Sequence, residues 1–224
     1  MKLTSNKSSV SLLSIADFSV SQLPEVFRIE PASACNLKCI HCPTGIDRSS
    51  KRGVMSEETF GIVLRNLDKV KPKVVVMYNG GKLFLNKNIF KWIGVIKSMG
   101  IGFVKTVNNG MLLTEEMLTR IVESGLDSIE FSIDGQSSEE NNAIRIGSDH
   151  DKLVDIIKGL VGIKSEKNSD TPSIFVTNTQ FVDSERSIQT DSFPLPRNSF
   201  QTTLLVSMKG KWLSKALGHI IGQG

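Results

Sequence analysis

Between residues 26 and 182 the hydrophobic period of the sequence switches repeatedly from that of a strand to that of a helix, and this alternation limits the fold more than any other feature. After Pro24, the run Val26-Phe27-Arg28-Ile29-Glu30 predicts a first strand. Phe60, Val63, Leu64, Leu67 and Val70 recur at helical spacing behind Ser56, an N-cap with Glu57 and Glu58 in the first turn. Val74, Val75, Val76 and Met77 form a continuous apolar run, as in a strand covered on both faces of a parallel sheet. Phe90, Ile93, Ile96 and Lys97 predict a second helix that stops near Gly100. Residues 103–107 predict a third strand, followed by the turn Asn108-Asn109-Gly110. Thr114, Glu115 and Glu116 open a third helix, whose stripe is Met117, Leu118, Ile121 and Val122 and whose end falls at Gly125. Residues 128–134 alternate strictly, with Ile129, Phe131 and Ile133 on one face and Glu130, Ser132 and Asp134 on the other. Leu153, Ile156, Ile157, Leu160 and Val161 carry a fourth helix, and a fifth strand covers about residues 173–182.

Strand–helix alternation with short connections predicts an α/β fold on a parallel sheet with right-handed crossovers. A complete eight-unit barrel needs roughly 250 residues, so a chain of 224 predicts an open or partial barrel or a doubly wound sheet. In either, ligands sit at the C-terminal ends of the strands. In a barrel wrapped by helices, Glu130, Ser132 and Asp134 would face the lumen. Outside this core, residues 1–23 are a Ser-rich lead-in and the core covers 24–185. Residues 186–224 form an irregular basic tail, with Arg186, Arg197, Lys209, Lys211 and Lys215 against Asp191 alone. A strand at 204–206 and a short helix at 212–221 are its only patterned pieces. The expectation is a fold truncated after the fifth strand, with a tail that is truncated or frame-disrupted.

A composition of 39% hydrophobic and 22% charged residues excludes wholesale disorder. No run approaches the roughly 18 consecutive apolar residues of a membrane helix. Asp17 and the serines between Ser5 and Ser21 break up any signal-like stretch after Lys2, so a cytoplasmic protein with no membrane partner is expected. The net charge of +4 comes from 27 basic residues spread among 23 acidic ones, without an aromatic-rich basic cluster, so no nucleic-acid partner is expected.

The chain's three cysteines, Cys35, Cys39 and Cys42, lie directly after the first strand, in Cys-Asn-Leu-Lys-Cys-Ile-His-Cys. An odd, crowded set is a poor disulfide framework and points to metal ligation. Thiolates suit iron–sulfur clusters and zinc alike, and three protein ligands leave one metal position open, as catalytic sites do. The residues alone leave open an iron–sulfur cluster, a zinc ion completed by His41 or a distant group, or three buried cysteines that hold nothing.

The C-x3-C-x2-C spacing after a first strand resembles the signature of the radical S-adenosylmethionine (SAM) superfamily, over about residues 24–182. The likeness is closest to members that carry a cysteine-rich C-terminal extension, many of which modify peptides or proteins. It implies a partial (β/α)6 barrel and a [4Fe–4S] cluster on Cys35, Cys39 and Cys42, with the fourth iron chelating the amino and carboxylate groups of SAM. One-electron reduction, by a donor such as a ferredoxin or flavodoxin, would cleave SAM to methionine and a 5′-deoxyadenosyl radical that abstracts a substrate hydrogen. The resemblance also implies SAM contacts from His41 near the adenine, from the backbone of Gly80 and Gly81, and from Ser132 in Ser-Ile-Asp-Gly and Arg145 toward the carboxylate. The substrate stays open, a peptide or protein being one candidate.

The sequence departs from the family pattern in three places. Lys82 and Leu83 stand where the family's Gly-Gly-Glu-Pro segment has glutamate and proline, and the glutamate there receives the SAM ammonium. Asn108 replaces the threonine of a common Thr-Asn-Gly segment. No cysteine follows Cys42, so the clusters of the family's C-terminal extensions are not expected. The alternative expectation is therefore a non-catalytic, degenerate iron–sulfur or metal-binding protein on the same fold.

Overall fold

The computed structural model describes residues 23–47, 52–135, 137–181 and 200–205. Its strands are β1 (Val26–Arg28), β2 (Val74–Val76), β3 (Phe103–Asn108), β4 (Ser128–Asp134), β5 (Ser173–Phe181) and β6 (Phe200–Leu205), adjacent in the sheet in that same order. The first five run parallel; β6 runs antiparallel to β5, with Val176 opposite Leu205 and Phe181 opposite Phe200. Because the order never reverses, the sheet lacks the switch point of a doubly wound fold. It is a partial barrel of five parallel strands, one of the arrangements the alternation left open.

The helices are α1 (Pro43–Ile46), α2 (Glu57–Val70), α3 (Ile89–Ser98), α4 (Glu115–Glu123), α5 (Ser138–Ile144) and α6 (His150–Glu166). The predicted caps form: the Ser56 side chain accepts from the Thr59 amide and that of Thr114 from the Met117 amide. Each such cap contributes about 1 kcal/mol. The sequence reading missed α5, which has no apolar stripe to reveal it. Its signal was instead the Ser137-x-x-Glu140 capping pattern, and the Ser137 hydroxyl does accept from the Glu140 amide at 3.2 Å. Arg145 is the C-cap of this helix.

The core lies between sheet and helices. Val75, Val104, Ile129, Phe131 and Ile133 from the strands pack with Leu67, Trp92, Ile96, Ile121, Leu153 and Ile157 from the helices, all essentially buried. Phe60 of α2 stacks on Trp92 of α3 with centroids 4.0 Å apart. Burying one such side chain contributes about 1.5–3 kcal/mol. On β4, Ile129, Phe131 and Ile133 are buried and Glu130 and Ser132 half-buried, as alternation predicts, but Asp134 on the polar face is fully buried.

At the N-terminal end of the sheet Asp127 closes a seam. Its Oδ2 accepts from the Val104 amide at 2.7 Å and from Lys97 Nζ at 2.8 Å, joining α3, β3 and the start of β4. The strand expected at 204–206 overlaps β6, which begins earlier, at Phe200, and is described to Leu205. The lead-in before residue 23, most of the tail and the helix expected at 212–221 lie outside the described residues. Among the described residues no helix is long and apolar enough to cross a membrane.

Candidate functional site

The cysteine loop leaves β1 at the C-terminal end of the sheet and is held from three sides. Toward α5, the Lys38 amide donates to the Ile146 carbonyl and the Ile40 amide to that of Ile144. Toward β3, Asn109 Nδ2 donates to Asn36 Oδ1 at 2.9 Å. Toward the segment after β2, the Lys82 amide donates to the carbonyl of Ala34, next to Cys35, at 2.9 Å. The approach there is so close that a Cβ on Gly81 would lie 1.8 Å from the Ala32 carbonyl oxygen, so only glycine fits. Glu30, at the end of the first strand segment, fixes the same crossing: its Oε1 accepts from the amides of Gly80 and Gly81 at 2.6 and 3.1 Å.

All three cysteines are free thiols, Cys39 buried and the other two half-buried. Within the loop, the Cys42 amide donates to the Cys39 carbonyl, and the Cys42 carbonyl accepts from Gly45 and Ile46 as α1 begins. The Leu37 amide points at Cys35 Sγ from 3.5 Å. Burial pushes the Cys39 thiol above its ordinary range; the charges of Cys35 and Cys42 add to this, and Arg145 opposes it. The three sulfurs therefore share one electrostatic neighbourhood.

Charged groups crowd the same end of the sheet. Asp134, the last residue of β4, is fully buried, with Arg145 Nε at 2.7 Å and His41 Nε2 at 3.7 Å. The Asp134–Arg145 contact lies outside hydrogen-bond alignment, and among the described residues neither Asp134 oxygen has an aligned donor. Burial holds His41 below its usual imidazole range; Asp134 pushes it up and Arg145 down. Lys82 is 7% exposed, with its Nζ 5.5 Å from the centroid of the Tyr78 ring. Burial lowers its ammonium pKa, while Cys35, Cys39 and Cys42 each act in the opposite sense. Tyr78, also pushed up by burial, feels Cys42 and Arg145.

The structure brings Cys35, Cys39, Cys42, His41, Gly80, Gly81 and Arg145 to the same end of the sheet. Ser132 lies half-buried on the lumen face of β4, two residues before Asp134. Sequence reasoning did not single out Glu30, Tyr78 or Asp134 as site residues. Asp134 could have been found from its place on the lumen face; Glu30 and Tyr78 carried no local signal. Arg145, expected to reach a ligand carboxylate, lies against Asp134, with Nε 2.7 Å from Oδ2. A hollow of about 300 Å³ adjoins the loop, lined by Cys35, Leu37, Thr44, Gly45 and Arg52 among others. A larger groove of about 760 Å³ runs along α4 and α6 past Leu118, Asp155, Ile156 and Glu166; it contains no thiol or histidine. Size does not make it the reactive site.

The donor set fits a cluster better than a single ion. Among the described residues no group of three His, Cys, Asp or Glu side chains is placed to hold one metal ion. A cubane makes a different demand, because each thiolate binds its own iron and the sulfurs stand around the group instead of converging on a point. The Asp134 carboxylate, ion-paired with Arg145 but without an aligned hydrogen bond among the described residues, retains acceptor capacity that a bound cationic ligand would use.

A parallel partial barrel with C-x3-C-x2-C on the loop after its first strand defines a radical SAM fold. Residues 29–175 match the radical SAM superfamily, well over half of the chain, and the chain belongs to that family. The family's cofactors are a [4Fe–4S] cluster and S-adenosylmethionine. The chain is 26% identical over 136 residues to the protein named "probable GTP 3′,8-cyclase" of Methanocaldococcus jannaschii, covering 61% of this chain and 45% of that one. It is 28% identical over 129 residues to the mycofactocin maturase MftC of Mycobacterium tuberculosis, covering 57% and 32%. SuiB of Streptococcus suis, solved with S-adenosylmethionine, superposes with a TM-score of 0.54 at 18% identity, over 63% of this chain and 32% of that one. SuiB bound to its precursor peptide SuiA superposes equally well, at 0.54. The chain spans less than half the length of these curated relatives.

Proposed function

We propose that this chain carries the radical-generating part of a radical SAM enzyme. The observation that carries the reading is the set of three free thiols at the C-terminal end of a parallel barrel, on a loop pinned by β2, β3 and α5. Cys35, Cys39 and Cys42 would hold the cluster. When bound and given one electron by the donor, these cofactors would supply reductive SAM cleavage for hydrogen abstraction from the substrate. The protein's part is to bind, orient and shield. His41, Gly80, Gly81, Ser132 and Arg145 are the proposed SAM-facing residues, with Asp134 holding Arg145 in place. A one-electron donor of the ferredoxin or flavodoxin kind is the implied partner. A peptide or protein substrate is supported by the maturase among the relatives and by SuiB with its precursor peptide. The lack of a spanning helix among the described residues is compatible with a cytoplasmic location.

The test is anaerobic. The protein is reconstituted with iron and sulfide, given dithionite and SAM, and 5′-deoxyadenosine is quantified beside a Cys39→Ala control. Product above the control is expected; a filled cluster without product overturns the enzymatic reading. A second reading, a cluster-binding protein that no longer cleaves SAM, is favoured by one observation: Lys82, in the place of the family's ammonium-binding glutamate, is buried in the site. It predicts that millimolar SAM leaves the cluster's EPR signal unchanged.

A further inference from the structure

A buried ammonium needs a compensating negative charge, and no carboxylate among the described residues forms an ion pair with Lys82. Lys82 is 7% exposed, and none of the ion pairs among the described residues includes it. Leaving a charge out of water in this way costs several kcal/mol unless a partner offsets it. Its backbone is fixed beside Cys35 through the 2.9 Å bond to the Ala34 carbonyl, and its Nζ lies over the Tyr78 ring. The charges that act on it favourably are those of Cys35, Cys39 and Cys42. Arg145, the other cation of the site, has Asp134 at 2.7 Å and acts on Lys82 against the cysteines.

A [4Fe–4S]2+ core on three thiolates is an anion, and one-electron reduction to the 1+ core adds a further negative charge. A fixed cation beside the sulfurs stabilises the reduced state more than the oxidised one, because the attraction grows with the charge it faces. We propose that the Lys82 ammonium is the built-in counter-charge of the loaded cysteine site, raising the potential at which the cluster accepts its electron. This rests on the cluster-binding reading above and deepens it. Lys82 touches no reacting atom here; it is a positioning and tuning residue, and its role shows in the cluster before any SAM is added.

The experiment uses the full chain reconstituted anaerobically without SAM. Iron and sulfide per chain are measured first, and the cluster is then titrated with dithionite while the reduced signal is followed by EPR. Lys82→Met keeps the length of the side chain and removes its charge, Lys82→Arg keeps the charge, and Lys38→Met removes an exposed lysine from the same loop. At a fixed potential the ratio of reduced to oxidised cluster falls about tenfold in Lys82→Met, equivalent to about 59 mV for one electron. Lys82→Arg and Lys38→Met stay with the wild type. Equal midpoints for wild type and Lys82→Met overturn the proposal. If Lys82→Met loses iron while Lys82→Arg retains it, the charge is again what the site requires; loss in both assigns Lys82 to packing and overturns the proposal too. Wild-type protein that takes up no iron sinks the cluster reading itself, an outcome visible before any potential is measured.

Discussion

At the scale of single residues, Gly81 and Lys82 show how neighbours in sequence can meet opposite demands. A methyl at Gly81 would run into the backbone of Ala32 and Ser33, which cannot yield as a flexible side-chain end can. Gly81→Ala is expected to cost at least the roughly 1–3 kcal/mol typical of overpacking, read by denaturant unfolding, and to reduce iron retained per chain because the crossing carries the cysteine loop. Wild-type iron content in a destabilised Gly81→Ala protein would separate the two effects and contradict the second. Lys82 presents like charge to a ligand ammonium. At about 4 Å and an effective dielectric near 20, one such pair is worth about 4 kcal/mol, and 1.4 kcal/mol is already tenfold in affinity. Lys82→Glu is therefore expected to tighten SAM binding at least tenfold, measured by titrating SAM against the cluster's EPR signal. An unchanged Kd would mean that the ammonium binds elsewhere, with Asp134 the next candidate. The cysteines were legible in the sequence because their spacing is local. The Asp134–Arg145 pair was not, because a helix turns the chain back between the two residues.

At the scale of elements, strands and long helices were readable wherever one face is apolar. β4 and α2 are examples, the first by strict alternation and the second by its Ser56 cap and its stripe. α5 fails that test: it offers Ala143 and Ile144 but no stripe, and tertiary contacts hold it instead. The same contacts give it a function, because Ile144 at its end and Ile146 just beyond receive the amides of the cysteine loop. Caps of similar strength should therefore have different consequences. Ser56→Ala and Ser137→Ala each remove a side-chain cap worth about 1 kcal/mol. Ser56→Ala is expected to lower global stability by that amount and leave cluster retention alone. Ser137→Ala is expected to loosen the support of the cysteine loop, giving faster loss of the cluster's visible absorbance under a chelator. Equal rates of loss in the two variants would mean that α5 does not hold the loop.

At the scale of the whole molecule, the parallel strands point every reactive group to one end and leave the other for stability. The cysteines, Glu30, Lys82, Asp134 and Arg145 gather at the C-terminal end, whereas Asp127 works at the opposite one. There its carboxylate serves the Val104 amide and Lys97 together, and its carbonyl accepts from the Ser173 amide at the start of β5. Asp127→Ala leaves the Val104 amide without its acceptor and the half-buried Lys97 ammonium with the Gly102 carbonyl but no counter-charge, a loss of about 1–3 kcal/mol. No contact described for Asp127 reaches the cysteine loop, and effects at well-separated sites are close to additive. The expected result is a lower denaturation midpoint with wild-type iron per folded chain and a wild-type EPR signal. A mutation at the C-terminal end, such as Gly81→Ala, should change all three readouts. If Asp127→Ala also strips the cluster under conditions where the chain stays folded, the two ends are coupled through the sheet, and the division of labour between them is lost.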